Sequence, residues 1–187
     1  MVSQFISPDK VGLLGDLDFD FPEGTHAIGR LDNESEGLLI LATNKKITRL
    51  MFLGDEPHER SYLVMVQNVV SAETLQRLRT GISIRIKDGE DYIAKPKDIR
   101  IVDKPADLAA QATDPREKFP HTWLLITLTE GKFRQVRKMV LAARHRCLRL
   151  IRISIGDLTL GSLLPGEVKE ISEQEFCEKT GIGRDEV

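Results

Sequence analysis

Short apolar runs punctuated by glycine and proline organise this chain, and their period decides which elements they predict. Residues 37–42, GLLILA, form an unbroken aliphatic run, the pattern of a strand buried on both faces. Thr43 or Asn44 can then cap a helix over about 45 to 53, which Gly54 stops. Residues 62–67 predict a strand; Ser71 caps the next helix, in which Val70 can staple against Leu75 before Gly81 ends it. Ile82, Ile84 and Ile86 alternate with polar residues, as do Ile99 and Ile101, the period of half-buried strands. Residues 123–129 and 148–155 predict two more strands. Between them a helix from Phe133 to about Ala143 sets Val136, Met139, Val140 and Ala143 on one face.

The run Ile171-Ser172-Glu173-Gln174-Glu175-Phe176 reads as a capping box with its staple, opening a short helix that Gly181 closes. Two stretches carry little periodicity. In residues 1–26, Asp16, Asp18 and Asp20 alternate with Leu17, Phe19 and Phe21 but lack the glycine and terminal glutamate of a calcium loop, so an ordinary loop is expected. Residues 104–120, with three prolines, predict a long surface loop. About eight strands and four short helices result, hence an α+β fold with a mixed, mostly antiparallel sheet flanked by short helices.

Composition changes this picture little. At 187 residues, 41% hydrophobic and 30% charged, the chain suits one globular domain or two small subdomains sharing a sheet. No stretch reaches the roughly 18 apolar residues of a membrane helix, and the start lacks the layout of a signal peptide, so a soluble cytoplasmic protein is expected. Cys147 and Cys177 form no CxxC pair and are expected to be reduced and structural. His26, His58, His121 and His145 are scattered singly, so no metal is expected.

Charge distribution matters more than the net charge of -2. Between Gly131 and Arg152 stand eight basic residues (Lys132, Arg134, Arg137, Lys138, Arg144, Arg146, Arg149, Arg152) and no acid; from Gly166 onward seven acids face three bases. A basic block in a neutral protein is a candidate footprint for a polyanion, or a solvated basic helix face.

The stretch GRLDNESEGLLIL packs Arg30, Asp32, Glu34 and Glu36 against the aliphatic run. Gly29 allows a tight turn, and a loop braced by a buried strand is where proteins hold reactive groups at fixed geometry. Locally, Asp32 could equally be a turn residue, with Glu34 and Glu36 solvated or paired.

Three stretches in order carry a resemblance. GRLDNESEGLLILATN (29–44) resembles the GRLD-x-x-S/T-x-G-L-L-L-L-T-N signature of the ribosomal RNA pseudouridine synthases of RsuA and RluE type. Arg60-Ser61-Tyr62-Leu63-Val64 is similar to that family's R/K-x-Y-x-V, and residues 130–139, EGKFRQVRKM, to its E-G-x-x-R-Q-V-R-x-M. The resemblance implies the pseudouridine synthase catalytic fold, two subdomains of one sheet with a central cleft. It implies a cofactor-free isomerisation in which a uridine is flipped out, its glycosidic bond cut, and the uracil turned and rejoined through carbon.

By the same resemblance Asp32 is the catalytic residue, able to capture or stabilise oxocarbenium-like charge or to remove a sugar proton. Arg137 is the cation that offsets the cost of burying that carboxylate. Tyr62 lies against the flipped base, Arg30 helps hold the nucleotide, and Leu31 and Val136 pack around the site. Lys132, Arg134, Lys138, Arg144 and Arg146, continued by Arg149 and Arg152, become a phosphate-contacting surface. The partner implied is ribosomal RNA, of the large subunit by likeness to RluE-type members, bound by a monomer without membrane or metal.

The family's first strand carries Lys-Pro before the GRLD loop, whereas here Met1-Val2-Ser3-Gln4-Phe5 resembles only the tail of that segment. The expectation is therefore a single catalytic domain over 1–187, lacking that strand and the separate N-terminal RNA-binding domain. A rival of another class is a non-catalytic RNA-binding protein that keeps the fold; intact Asp32, Tyr62 and Arg137 argue against it. A glycoside hydrolase pairing Asp32 with Glu34 or Glu36 has no reason to place a second carboxylate across a sugar.

Overall fold

The computed structural model describes residues 1–53, 58–105, 108 and 115–184. Among them the chain forms β1 (His26–Ile28), β2 (Glu36–Gly37), β3 (Ile40–Ala42), α1 (Lys46–Leu53), β4 (Arg60–Gln67) and α2 (Ala72–Thr80). It continues through β5 (Ile82–Arg85), β6 (Asp91–Ala94), β7 (Asp98–Val102), β8 (His121–Leu128), α3 (Gln135–Ala142), β9 (Cys147–Ile155), β10 (Leu158–Thr159) and α4 (Glu173–Thr180). The fold is α+β, and β1–β3, β9–β10, β4–β8, β5–β6 and β7–β8 pair antiparallel. The chain divides into two compact units, one of Met1–His58 with Arg152–Val187 and the other of Glu59–Ile151.

In the first unit β1 pairs with β3, Ala27 opposite Leu41, and β10 pairs with the end of β9. The core gathers Ile28, Ile40, Ile47, Met51, Ile155, Leu158, Phe176, Cys177 and Ile182. Asn44, one of the two expected caps, accepts the Lys46 N–H at 3.0 Å and so starts α1. Ser172 accepts the Glu175 N–H at 3.1 Å and starts α4, while the Glu175 carboxylate takes Lys179 one turn on at 2.8 Å. Ile171 and Phe176 meet the same core as the staple requires.

The second unit is built on β8, which pairs with β4 from Arg60↔Leu128 to Gln67↔His121 and with β7 from Asp98↔Thr127 to Val102↔Trp123. On the far side of β4 runs the start of β9, where the Gln67 N–H donates to the Arg146 carbonyl at 2.9 Å. β5 and β6 form a separate hairpin. α2 is capped by Ser71, which accepts the Thr74 N–H at 3.1 Å. The apolar face expected of the third helix is buried, with Val136, Met139, Val140 and Ala143 joining Val64, Leu78, Leu124 and Ile126 in one core.

Two expectations need correction. The aliphatic run 37–42 is not one doubly buried strand: it splits into the end of β2 and β3, with Leu38 and Leu39 half-buried between. Gly37 turns with φ +103°, and the chain changes partners from β9 to β1. The helix expected from Phe133 begins at Gln135, because Arg134 is left-handed at φ 52°. β1, β6 and β10 are not predicted; at three, four and two residues each is too short for its sequence to show a period. Of the loop expected over 104–120, residues 106–107 and 109–114 lie outside the described residues, as does the stop at Gly54, and Pro115–Lys118 makes a 3-10 turn.

Candidate active site

The Asp32 loop has at each end a glycine of positive φ where a Cβ would meet a neighbour, a side chain at Gly29 and backbone at Gly37. At Gly29 (φ +75°) a Cβ would stand 2.7 Å from the Phe52 ring; at Gly37 it would stand 2.3 Å from the Arg152 carbonyl oxygen. That second contact is so close because the backbones are joined: the Leu38 N–H donates to the Arg152 carbonyl at 2.8 Å, and Arg152 Nε returns a bond to the Leu38 carbonyl at 2.8 Å. Between the glycines the Ser35 N–H donates to the Asp32 carbonyl at 2.8 Å, closing a turn.

The N-terminal segment holds the loop from the other side. Ser3 Oγ accepts the Leu31 N–H at 3.0 Å and donates to the Leu31 carbonyl at 3.2 Å. With its amide oriented to satisfy both ends, Gln4 Oε1 accepts both terminal nitrogens of Arg30, at 2.9 and 3.1 Å. Arg30 is exposed and Asp32 half-buried. A carboxylate on a turn braced on three sides loses little freedom when a substrate meets it, which is what a reacting group needs.

In the second unit the motif EGKFRQV builds a turn in which Gln135 is buried and Glu130 half-buried, while Lys132 and Arg134 stay exposed. Tyr92 on β6 donates its hydroxyl to Glu130 Oε2, and Gln135 Nε2 donates to Glu130 Oε1 at 2.7 Å. Gln135 Oε1 takes the Lys132 N–H at 2.9 Å, and the Gln135 N–H returns to the Lys132 carbonyl at 3.0 Å. The bond to the Glu130 carboxylate holds the Tyr92 hydroxyl above the usual tyrosine range, with burial and the Glu130 charge pushing the same way. Lys132 Nζ sits 5.2 Å from the Tyr92 ring centroid, and Lys138 Nζ sits 5.4 Å from that of Phe133.

The structure thus places Arg30 and Asp32 in the first unit, and Tyr62, Lys132, Arg134, Arg137, Lys138, Arg144 and Arg146 in the second. Tyr62 lies on β4 opposite Ile126, half-buried, its ring against the core. Arg137 is half-buried in the first turn of α3; Lys132, Arg134, Arg144 and Arg146 are exposed. Val136 packs in the core of the second unit and Leu31 is half-buried in the first. Arg149 and Arg152, expected to continue the phosphate surface, are buried at 8% and 6% exposure. Both lie within β9, and Arg152 is spent on the Leu38 backbone.

Sequence reasoning placed Ser3 and Gln4 in the tail of the family's first segment without a role in the site, and assigned nothing to Tyr92 or to Phe133 as a side chain. The first two lie in a stretch without period, and Tyr92 lies in a strand of four residues, too short for its sequence to show one. Phe133 was absorbed into a helix that does not include it.

The α+β fold thus holds a carboxylate on a braced turn in one unit and exposed basic side chains in the other. The sequence pattern described as RNA pseudouridylate synthase matches residues 16–142. A ribosomal large subunit pseudouridine synthase E from Vibrio parahaemolyticus is 36% identical over 174 residues, covering 91% of this chain and 69% of the relative. A protein so described from Xanthomonas axonopodis is 36% identical over 152 residues, covering 79% of this chain and 76% of its own. An uncharacterized RNA pseudouridine synthase of Aquifex aeolicus is 34% identical; this chain spans 62% of its length. Among solved structures, a pseudouridylate synthase matches 96% of this chain and 68% of its own with a TM-score of 0.74 at 26% identity. The chain belongs to the RNA pseudouridylate synthase family, enzymes that turn uridine in RNA into pseudouridine.

Proposed function

We propose that this chain isomerises a specific uridine of large-subunit ribosomal RNA to pseudouridine, with Asp32 as its catalytic carboxylate. The supporting observation is the loop itself: Asp32 sits in the family's motif on a turn that Gly29, Gly37 and Ser3 fix in place. The large-subunit assignment is supported by the names of the Vibrio and Xanthomonas relatives.

The reaction breaks the bond from the sugar to uracil N1 and makes one to C5; a proton leaves C5 and N1 gains one. No water is consumed and no electron is transferred, so a single carboxylate suffices, acting on the sugar as nucleophile or base. Arg30, Tyr62 and Arg137 hold the substrate nucleotide, Tyr62 through its ring and hydroxyl. Lys132, Arg134, Lys138, Arg144 and Arg146 grip the RNA backbone. The reading includes a monomer acting in the cytoplasm without a cofactor.

The test is to incubate the chain with unmodified large-subunit ribosomal RNA and map pseudouridine by carbodiimide adduct and primer extension. A single new stop is expected, with no release of free uracil. Asp32→Asn, being nearly isosteric, should abolish that stop while RNA affinity stays within a few fold. Equal loss of affinity and turnover in that variant, or release of uracil by the wild type, would sink the assignment.

A further inference from the structure

The basic turn of the second unit carries a feature that phosphate binding alone does not use. Phe133 is 69% exposed. A large aromatic held in water forgoes its burial energy, and here it is held rigidly. The turn beneath it is fixed by the Gln135 bonds to Lys132 and Glu130, by Tyr92 on Glu130, and by the left-handed Arg134 that follows.

We propose that Phe133 is a stacking platform for one unpaired nucleobase of the RNA, distinct from the uridine that reacts. The surroundings select that occupant over a protein or lipid surface. Lys132 and Arg134 flank Phe133 in sequence, Lys138 Nζ stands over one face of its ring, and none of residues 131–138 is acidic. Lys138 Nζ, 5.4 Å from the ring centroid, is within reach of a phosphate attached to a base stacked there. An aromatic face set among cations suits a nucleotide, which offers a π-face and an anion a few ångströms apart. A lipid or protein ligand would require a wider apolar patch than a single ring. The inference deepens the RNA reading above, and its test is separable from it.

Affinity of wild type, Phe133→Ala, Phe133→Leu and Phe133→Trp is read by fluorescence anisotropy on a labelled uridine-rich single strand of about ten nucleotides and on a blunt RNA duplex of equal length. Stacking predicts that Ala and Leu each weaken single-strand binding by roughly 5- to 150-fold and leave duplex binding within about twofold. Because no phosphate contact is lost, the salt dependence stays the same. Phe133→Trp should restore affinity, and its fluorescence should be quenched by the single strand, against a baseline set by the buried Trp123 of the wild type. Wild-type affinity in Phe133→Leu would overturn the inference and point to a merely apolar contact. So would equal loss on strand and duplex, absence of quenching, or a wild type that does not bind the single strand. Pseudouridine formation by the wild type judges the proposed function independently: a Phe133 effect without product would leave the stacking site and remove the reaction, and product with a normal Phe133→Leu would do the reverse.

Discussion

Gly24, Gly29 and Gly37 all have positive φ, but their surroundings differ in kind. At Gly24 a Cβ meets nothing within 4 Å, at Gly29 it meets the end of the Phe52 side chain, and at Gly37 it meets the backbone of Arg152. A side chain can swing away; a hydrogen-bonded backbone cannot. Alanine at each site should therefore cost about 1 kcal/mol at Gly24 from φ alone, somewhat more at Gly29, and about 3 kcal/mol or more at Gly37. Urea denaturation of the three variants measures this, and equal costs would mean that Arg152 does not confine the loop. At this scale the Asp32 loop was legible, since Gly29, Asp32 and Gly37 stand in one short motif. Its brace was not: Ser3 and Gln4 lie about 27 residues away in sequence, and a hydrogen bond across such a gap leaves no periodic trace.

Among the elements, those with a clear period and a cap were readable. Ser71 and Ser172 start helices where their side chains can accept a backbone N–H, and the face of α3 is buried as its spacing implies. The misread elements are those where tertiary partners override the local pattern. GLLILA has the composition of one strand but two different neighbours, and the start of α3 is set by Gln135 and Glu130 rather than by Phe133. That turn gives a pH prediction. The hydroxyl of Tyr92 titrates above its ordinary value because it donates a hydrogen bond to the Glu130 carboxylate. The contact therefore contributes in full below about pH 10 and is lost as pH rises through the elevated folded value. With two tyrosines in the chain, absorbance titration near 295 nm resolves a late-ionising one. Glu130→Gln should bring it back down, and an unchanged curve would show that Glu130 does not hold Tyr92.

Over the whole molecule, a net charge of -2 conceals an arrangement that net charge cannot report. The exposed cations Lys132, Arg134, Arg144 and Arg146 belong to one unit, while the acid-rich stretch after Gly166 belongs to the other. RNA affinity should fall steeply with salt despite the acidic total, and Arg144→Gln with Arg146→Gln should flatten the logarithmic salt dependence by about 1 to 2. A slope untouched by both changes would place the RNA elsewhere. The split itself has a consequence for synthesis. Glu59–Ile151 is continuous in the chain, so it can fold as soon as it has emerged, whereas the unit that carries Asp32 is completed by Arg152 and the residues after it. At about 5–20 residues per second, the Asp32 loop waits on the order of 5–20 s for the strand that locks Gly37. On a nascent chain the unit proposed to grip RNA is thus complete before the one that carries Asp32.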